Sequence, residues 1–306
     1  MKPDSGITDQ LKAKYESLNQ DLDTHLEGLL HTRPINYWDY IQTDVLLNLQ
    51  KPKTDFPDEM VFIMYHQISE LLFKMVRAEL SQIAENTFGV EVFTDKVLRV
   101  SRYFDVLTSS FSIMKDGMGL EQYNAFRTAL TPASGFQSAQ YRMVEFASTD
   151  IINLIDKRFR HTADENICCD EAFEHLYWQA AGKDYQTGQK TYTLLAFEKR
   201  YKAELIACAQ AYKTNNLWAK YKLLPQESKK NKTLTDAMRH YDYTVNVKWV
   251  MAHYQTANHY LNIGGKFAEA TGGSDWVKYM HPKYQKRIFF PDLWTTKEID
   301  DWGTDI

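Results

Sequence analysis

From Asp58 to Glu85 the chain runs without a glycine or a proline, and Phe62, Ile63, Ile68, Leu71, Leu72, Met75 and Leu80 recur along it at three- and four-residue steps. Such spacing returns the apolar side chains to one side only if the segment is a helix with 3.6 residues per turn. Pro57 suits the first helical position, where its missing N–H breaks no bond, and Asp58 and Glu59 favour the positive end of the helix dipole.

The same logic extends along the chain, because its 13 Gly and 8 Pro are few and clustered. A second helix is predicted from Phe93 to about Lys115, stopping before Gly117 and Gly119. Further helical patterns cover Thr8 to Leu30, Tyr37 to Gln50, Leu120 to Leu130, Phe136 to Ile155, Lys190 to Tyr212 and Lys232 to Leu261. Strand-like alternation is weak everywhere, so the class is all-α. Arg160 to Asp170 and Pro225 to Asn231 read as loops, and the Lys229 to Lys232 charge run as a solvated connection. Neither is long or Pro-rich enough to link domains. The expectation is therefore a single large helical domain over 1–306.

Composition narrows the function classes. Hydrophobic residues at 44% and charged residues at 25% are those of a folded protein. A net charge of −4 gives nucleic acid or an anionic membrane nothing to bind. No apolar run approaches the ~20 residues of a membrane span, and the polar stretch from Met1 to Tyr15 is not a secretory signal. With Cys168, Cys169 and Cys208 as the only cysteines, a reducing, cytoplasmic setting is expected. Aromatic residues reach 14%, which suits long helices around an aromatic-lined cavity.

Several common chemistries lack their motifs. No histidine has Glu or Asp three residues before it, as a di-iron bundle requires. HExxH, the P-loop and the nucleophile elbow are missing, and Gly117-Met-Gly119 lacks the third glycine of a dinucleotide fingerprint.

Three constellations remain. In the first, Phe62, His66 and Glu70 lie one above another on a helix face; His66 is either a satisfied core histidine or an imidazole that hydrogen-bonds a ligand. In the second, Tyr123 and Arg127, four apart, either form a surface pair or converge on a carboxylate, which the planar guanidinium binds bidentately. It is followed by Pro132 to Arg142, where Ser134-Gly135-Phe136-Gln137-Ser138 offers backbone and hydroxyls near a helix start, a place for an anion. In the third, Trp249 and His253 lie late in a long helix, and Thr271-Gly-Gly-Ser274 follows a Gly264-Gly265 break. His253 is either packed or a haem ligand, and the loop either turns the chain or closes over a ligand.

Together and in this order, these segments resemble the tryptophan 2,3-dioxygenase family, from about Asn36 to Trp294. Tyr37 to Gln50, Asp58-Glu59, His66-Gln67, Glu70-Leu71 and Pro132 to Arg142 carry the resemblance, with Ser134 to Arg142 the most specific block. It implies haem b, active as the ferrous form, with His253 as axial ligand and Ser134 and Gly135 at the haem edge. It implies L-tryptophan and O2 as substrates and N-formyl-L-kynurenine as product, the first step of the kynurenine route. His66 would receive the indole N–H and serve as the catalytic histidine. Tyr123 and Arg127 would hold the carboxylate, Thr271 would close over the ammonium and carboxylate, and Phe62 would wall the indole. Tyr37, Tyr40 and Ile41 match a helix that family members lend to a neighbouring subunit. Residues 1–50 are thus expected as an arm packed on a neighbour in a homotetramer, a dimer of dimers. Departures from the family pattern fall mainly at the closing loop: 18 residues separate His253 from Thr271, Ala270 replaces a glycine, and Asp275-Trp276 follows Ser274. Leu72 replaces an aromatic residue, and His259 is a rival to His253. Two readings stand as alternatives: a histidine-ligated haem oxygenase hydroxylating tryptophan or another aromatic amino acid, and a non-catalytic helical binding protein.

Overall fold

A computed structural model describes residues 6–131, 133–164, 166–263, 266–267 and 281–304. Among the described residues it is all-α apart from one two-residue antiparallel pair, in which Asn262 faces Phe267 and Ile263 faces Lys266. Among the described residues no helix is long and apolar enough to cross a membrane.

The chain divides into two compact units, Met1–Gln50 and Lys51–Ile306. The first holds α1 (Ile7–Ser17), α2 (Leu22–His31), α3 (Tyr37–Ile41) and α4 (Thr43–Leu46). None of these helices has a buried residue. Where periodicity predicts two helices, there are four. Asn19 and Gln42 take left-handed backbone, with φ of 58° and 56°, which ends one helix and lets another begin. Asp21 then caps α2 by accepting from the backbone N–H and hydroxyl of Thr24.

The second unit is built on α5 (Pro57–Glu85), with Pro57 in its first turn as expected. α6 (Val90–Ser109) and α9 (Ala139–Ser148) pack along α5. α12 (Tyr192–Ala211) covers α9, and α15 (Lys232–Tyr243) covers α6. Their shared core includes Val76, Leu80, Val97, Phe104, Val144 and Met238. Burying each such side chain contributes roughly 1.5–3 kcal/mol.

Predicted helices are interrupted where side chains compete with the main chain. The helix expected from Phe93 to Lys115 stops at Ser109, and α7 (Phe111–Gly117) takes over and includes Gly117. Ser109, Ser110 and Ser112 each donate to the carbonyl three residues back, which disturbs the regular ladder there. α8 (Leu120–Phe126) passes into a 3-10 turn at Arg127–Leu130. The span from Phe136 to Ile155 is a 3-10 turn, then α9, then a second 3-10 turn at Ile151–Leu154. Ser138 leaves helical backbone so that its Oγ can accept from the Tyr141 N–H at the start of α9. The two predicted loops carry short helices as well: α10 (Lys157–Arg160) and α11 (Cys169–Phe173) at the edges of the first, and α14 (Gln226–Lys229) inside the second, after α13 (Leu217–Leu223). From Lys232 to Leu261 the helix is continuous, but a π-helical turn, Thr244–Lys248, joins α15 to α16 (Trp249–Leu261).

Candidate functional site

α5, α7, α8 and α16, with the 3-10 turn at Gly135–Gln137 and the start of α9, enclose a cavity of about 390 Å³. That volume falls within the usual range for small-molecule sites. Phe62, His66, Tyr123, Ser134, Gly135 and His253, widely separated in sequence, all line it. His259 is exposed near the end of α16 and does not, so of the two rival histidines it is His253 that faces the cavity.

His66 sits one turn after Phe62 on α5, their ring centroids 4.2 Å apart. Its Nδ1 lies 2.7 Å from the Phe62 carbonyl oxygen. A carbonyl only accepts, so Nδ1 carries the hydrogen in the neutral ring and Nε2 is left as an acceptor. The ring is accessible because it faces the cavity, yet protein surrounds it closely. That desolvation lowers its proton affinity, against the opposing hydrogen bond to Phe62 and the charge of Glu70. Glu70 is itself held by the Ser138 hydroxyl (2.6 Å) and by Gln140 Nε2 (3.0 Å).

His253 projects from α16 beside Phe111, stacked at 5.5 Å and 18°. Burial, with His66 nearby, pushes its pKa down to about 4, so it is a neutral imidazole at physiological pH. No hydrogen bond to its ring is found among the described residues. On one side it meets the backbone of Gly135, where an added Cβ would stand 3.4 Å from His253 Cε1. Trp249, one turn earlier, packs edge-on to Phe73 and Phe104 and fixes that face of α16. Ser134 holds its own turn: its side chain caps the Gln137 N–H, and Gln137 Oε1 accepts from the Ser134 N–H at 2.9 Å.

Tyr123 packs on Phe62 (6.2 Å), Phe126 (5.5 Å) and Tyr260 (4.3 Å). Desolvation raises its phenol pKa, and the Arg127 charge acts against that, so the two side chains are near neighbours. Arg127 itself opens the 3-10 turn after α8 and is not part of the cavity lining. Tyr37 and Tyr40, in the first unit, are 74% and 75% exposed, and Ile41 is exposed as well. Thr271, with the rest of its loop, lies outside the described residues.

The sequence reading missed a polar network in the cavity wall. Arg287 donates to Glu145 Oε1 (2.9 Å), to Tyr141 Oη (2.9 Å), to Tyr177 Oη and to Asn246 Oδ1. Tyr177 donates to Glu145 (2.6 Å), and Arg142 pairs with Glu145 at 3.2 Å. Nearby charges keep both guanidiniums protonated despite full burial. Two buried arginines thus share one buried glutamate, and Arg142 Nε is buried without a hydrogen-bond partner among the described residues. Asn246 is steadied by Asp242, which also accepts from the Phe289 and Phe290 N–H groups and from the Trp294 indole. Tyr141 and Arg142 lie at the end of the Ser134 to Arg142 block, but nothing in the sequence tied that block to Glu145, Tyr177, Asn246 or Arg287.

The family model for tryptophan 2,3-dioxygenase matches residues 27–222. A tryptophan 2,3-dioxygenase of Polaromonas sp. is 30% identical over 96% of this chain and 95% of its own length. Proteins of the same name from Pseudomonas aeruginosa (29%, covering 90% and 93%) and Ruegeria pomeroyi (28%, covering 90% and 98%) are also similar. The family match takes in His66, Tyr123, Arg127 and Ser134, and the Polaromonas alignment spans nearly the whole chain: this protein belongs to the tryptophan 2,3-dioxygenase family.

Proposed function

We propose that this chain is a haem-dependent dioxygenase that inserts both atoms of O2 across the indole C2–C3 bond of L-tryptophan, giving N-formyl-L-kynurenine. The observation that carries the reading is two neutral histidines in one aromatic cavity, His66 with Nε2 left as an acceptor and His253 without a hydrogen-bond partner among the described residues.

The residues present fit haem. His253 would hold the haem iron, and an imidazole with a pKa near 4 presents its lone pair without competition from protons. Gly135 and Ser134 would lie at the haem edge, where the absent Cβ of Gly135 leaves room beside His253. Arg142, a guanidinium in the cavity wall, would meet a carboxylate of the macrocycle. Ferrous haem b, when bound, supplies the dioxygen site and the redox chemistry of insertion.

The chain's own task is placement. His66 Nε2 accepts the indole N–H, and Phe62 packs against the ring. Tyr123 and Arg127 hold the amino-acid carboxylate, so contacts remote from C2 and C3 orient the reacting bond. Thr271 closes over the ammonium and carboxylate. Exposed Tyr37, Tyr40 and Ile41, on helices that bury nothing, support an arm lent to a neighbour in a homotetrameric dimer of dimers. Three free cysteines suit a cytoplasmic setting.

The test is haem-loaded protein, reduced anaerobically and then given tryptophan and O2. Growth of the N-formylkynurenine absorbance is expected. A product carrying one added oxygen atom, or no Soret band after haem supplementation, would overturn the reading.

A further inference from the structure

Tyr260 lies on α16, two turns beyond His253, and is almost completely buried. Its ring packs against that of Tyr123, tilted by 39° with centroids 4.3 Å apart. Its hydroxyl sits 2.5 Å from the carbonyl oxygen of Met114, with those of Met118 and Lys115 at 3.2 and 3.4 Å. These carbonyls belong to the end of α7 and the link into α8, and the last carbonyls of a helix have no partner within it. Met114 and Met118 are buried, and the single Tyr260 O–H, nearest the Met114 carbonyl, brings this end of the helix a donor from another helix.

The start of α8 is fastened from the other side by α5. Gly119 N–H donates to Asp58 Oδ2 (2.6 Å), and Asp58 N–H donates to Gln122 Oε1 (3.2 Å). Asp58 stands one turn before Phe62 on the helix that carries His66. The short helix bearing Tyr123 is therefore held between the two histidine helices, through Tyr260 and through Asp58.

We propose that Tyr260 is a positioning residue for substrate: its hydroxyl, seated on the carbonyls that end α7, registers the carboxylate-holding Tyr123 and Arg127 against the helix of His253. The proposal rests on the carboxylate role given to that pair above. Without this registration the carboxylate would still meet a cation, but not at the distance from His66 and His253 that places the indole.

Calorimetric titration of haem-loaded protein with L-tryptophan and with 3-methylindole, which lacks the carboxylate, tests it. Wild-type preference for L-tryptophan establishes a site for its ammonium and carboxylate together, and loss of that preference in Arg127→Ala assigns the carboxylate part; absence of either would remove the underlying reading rather than this inference. Tyr260→Phe is expected to weaken L-tryptophan about tenfold and 3-methylindole hardly at all, with an unchanged Soret band. In an Arg127→Ala background the same substitution should cost L-tryptophan nothing further. Equal weakening of both ligands, no weakening of either, or full additivity with Arg127→Ala would overturn the proposal. Should Tyr260→Phe not retain haem, Asp58→Ala, which frees the same helix start from the α5 side, is judged by the same criteria.

Discussion

The cavity wall treats its two histidines and its two arginines in opposite ways. His66 and His253 are packed by aromatic rings and given almost no polar company: one carbonyl for His66, and no hydrogen bond among the described residues for His253. Desolvation then keeps both neutral. Arg142 and Arg287 are buried as deeply but are tied into Glu145, Tyr141, Tyr177 and Asn246, and stay charged. A buried charge is tolerated when its surroundings supply partners, whereas a lone imidazole discharges by losing its proton. The contrast separates groups left open for a ligand from groups engaged by the protein. Arg142 Nε departs from that pattern, charged yet without a hydrogen-bond partner among the described residues.

Breaking the histidine side should give the largest effect. His253→Ala is expected to abolish stable haem binding, seen as near-complete loss of the Soret band after reconstitution; a retained, unshifted band would remove His253 from the iron. On the arginine side the expected penalty is in folding. Arg287→Met strands the hydrogen-bonding groups of Asn246 and part of Glu145, and removing one partner of a buried ion pair costs about 3–5 kcal/mol. Urea denaturation of the haem-free protein measures it, and a change within about 0.5 kcal/mol would mean the network is dispensable.

Arg127→Ala should spare the Soret band and weaken L-tryptophan binding by about 1.5–3 kcal/mol, a charge-assisted hydrogen bond's worth. Normal tryptophan affinity in this variant would refute the carboxylate role. The smallest effect is expected at His66, which recognises one indole N–H. Wild-type protein should prefer L-tryptophan to its 1-methyl derivative, and His66→Ala should narrow that preference by about 1 kcal/mol. An unchanged ratio would show that Nε2 does not accept from the substrate.

Much of this was legible in the sequence, and the reasons for the rest are local. The face of α5 follows from the spacing of its apolar residues, and Pro57 marks its start, because both are properties of a single helix. The breaks at Ser110 and Ser138 were not legible: serine tolerates helix and also competes with it, and the neighbouring fold decides which prevails. His66, Tyr123, Ser134, Gly135 and His253 were singled out as a family constellation, and they do line one cavity. Arg287 and Glu145 were not, since 142 residues separate them and neither sits in a motif. Tyr260 escaped for a similar reason. A tyrosine on an apolar helix face reads as core, and nothing in its neighbours reveals that its hydroxyl ends another helix.

The π-helical turn between α15 and α16 carries a consequence for chain length. Each residue of an α-helix turns the chain by roughly 100°, so one residue gained or lost there swings everything beyond it to a different side. Asn246 within the turn and Trp249, His253 and Tyr260 beyond it all meet the same cavity. A single-residue deletion between Thr244 and Lys248 would redirect those last three side chains together. An equal deletion at exposed Lys230, ahead of the Asn231 cap of α15, falls in a surface connection instead. Tolerance to insertion and deletion should therefore differ sharply between two stretches only a dozen residues apart.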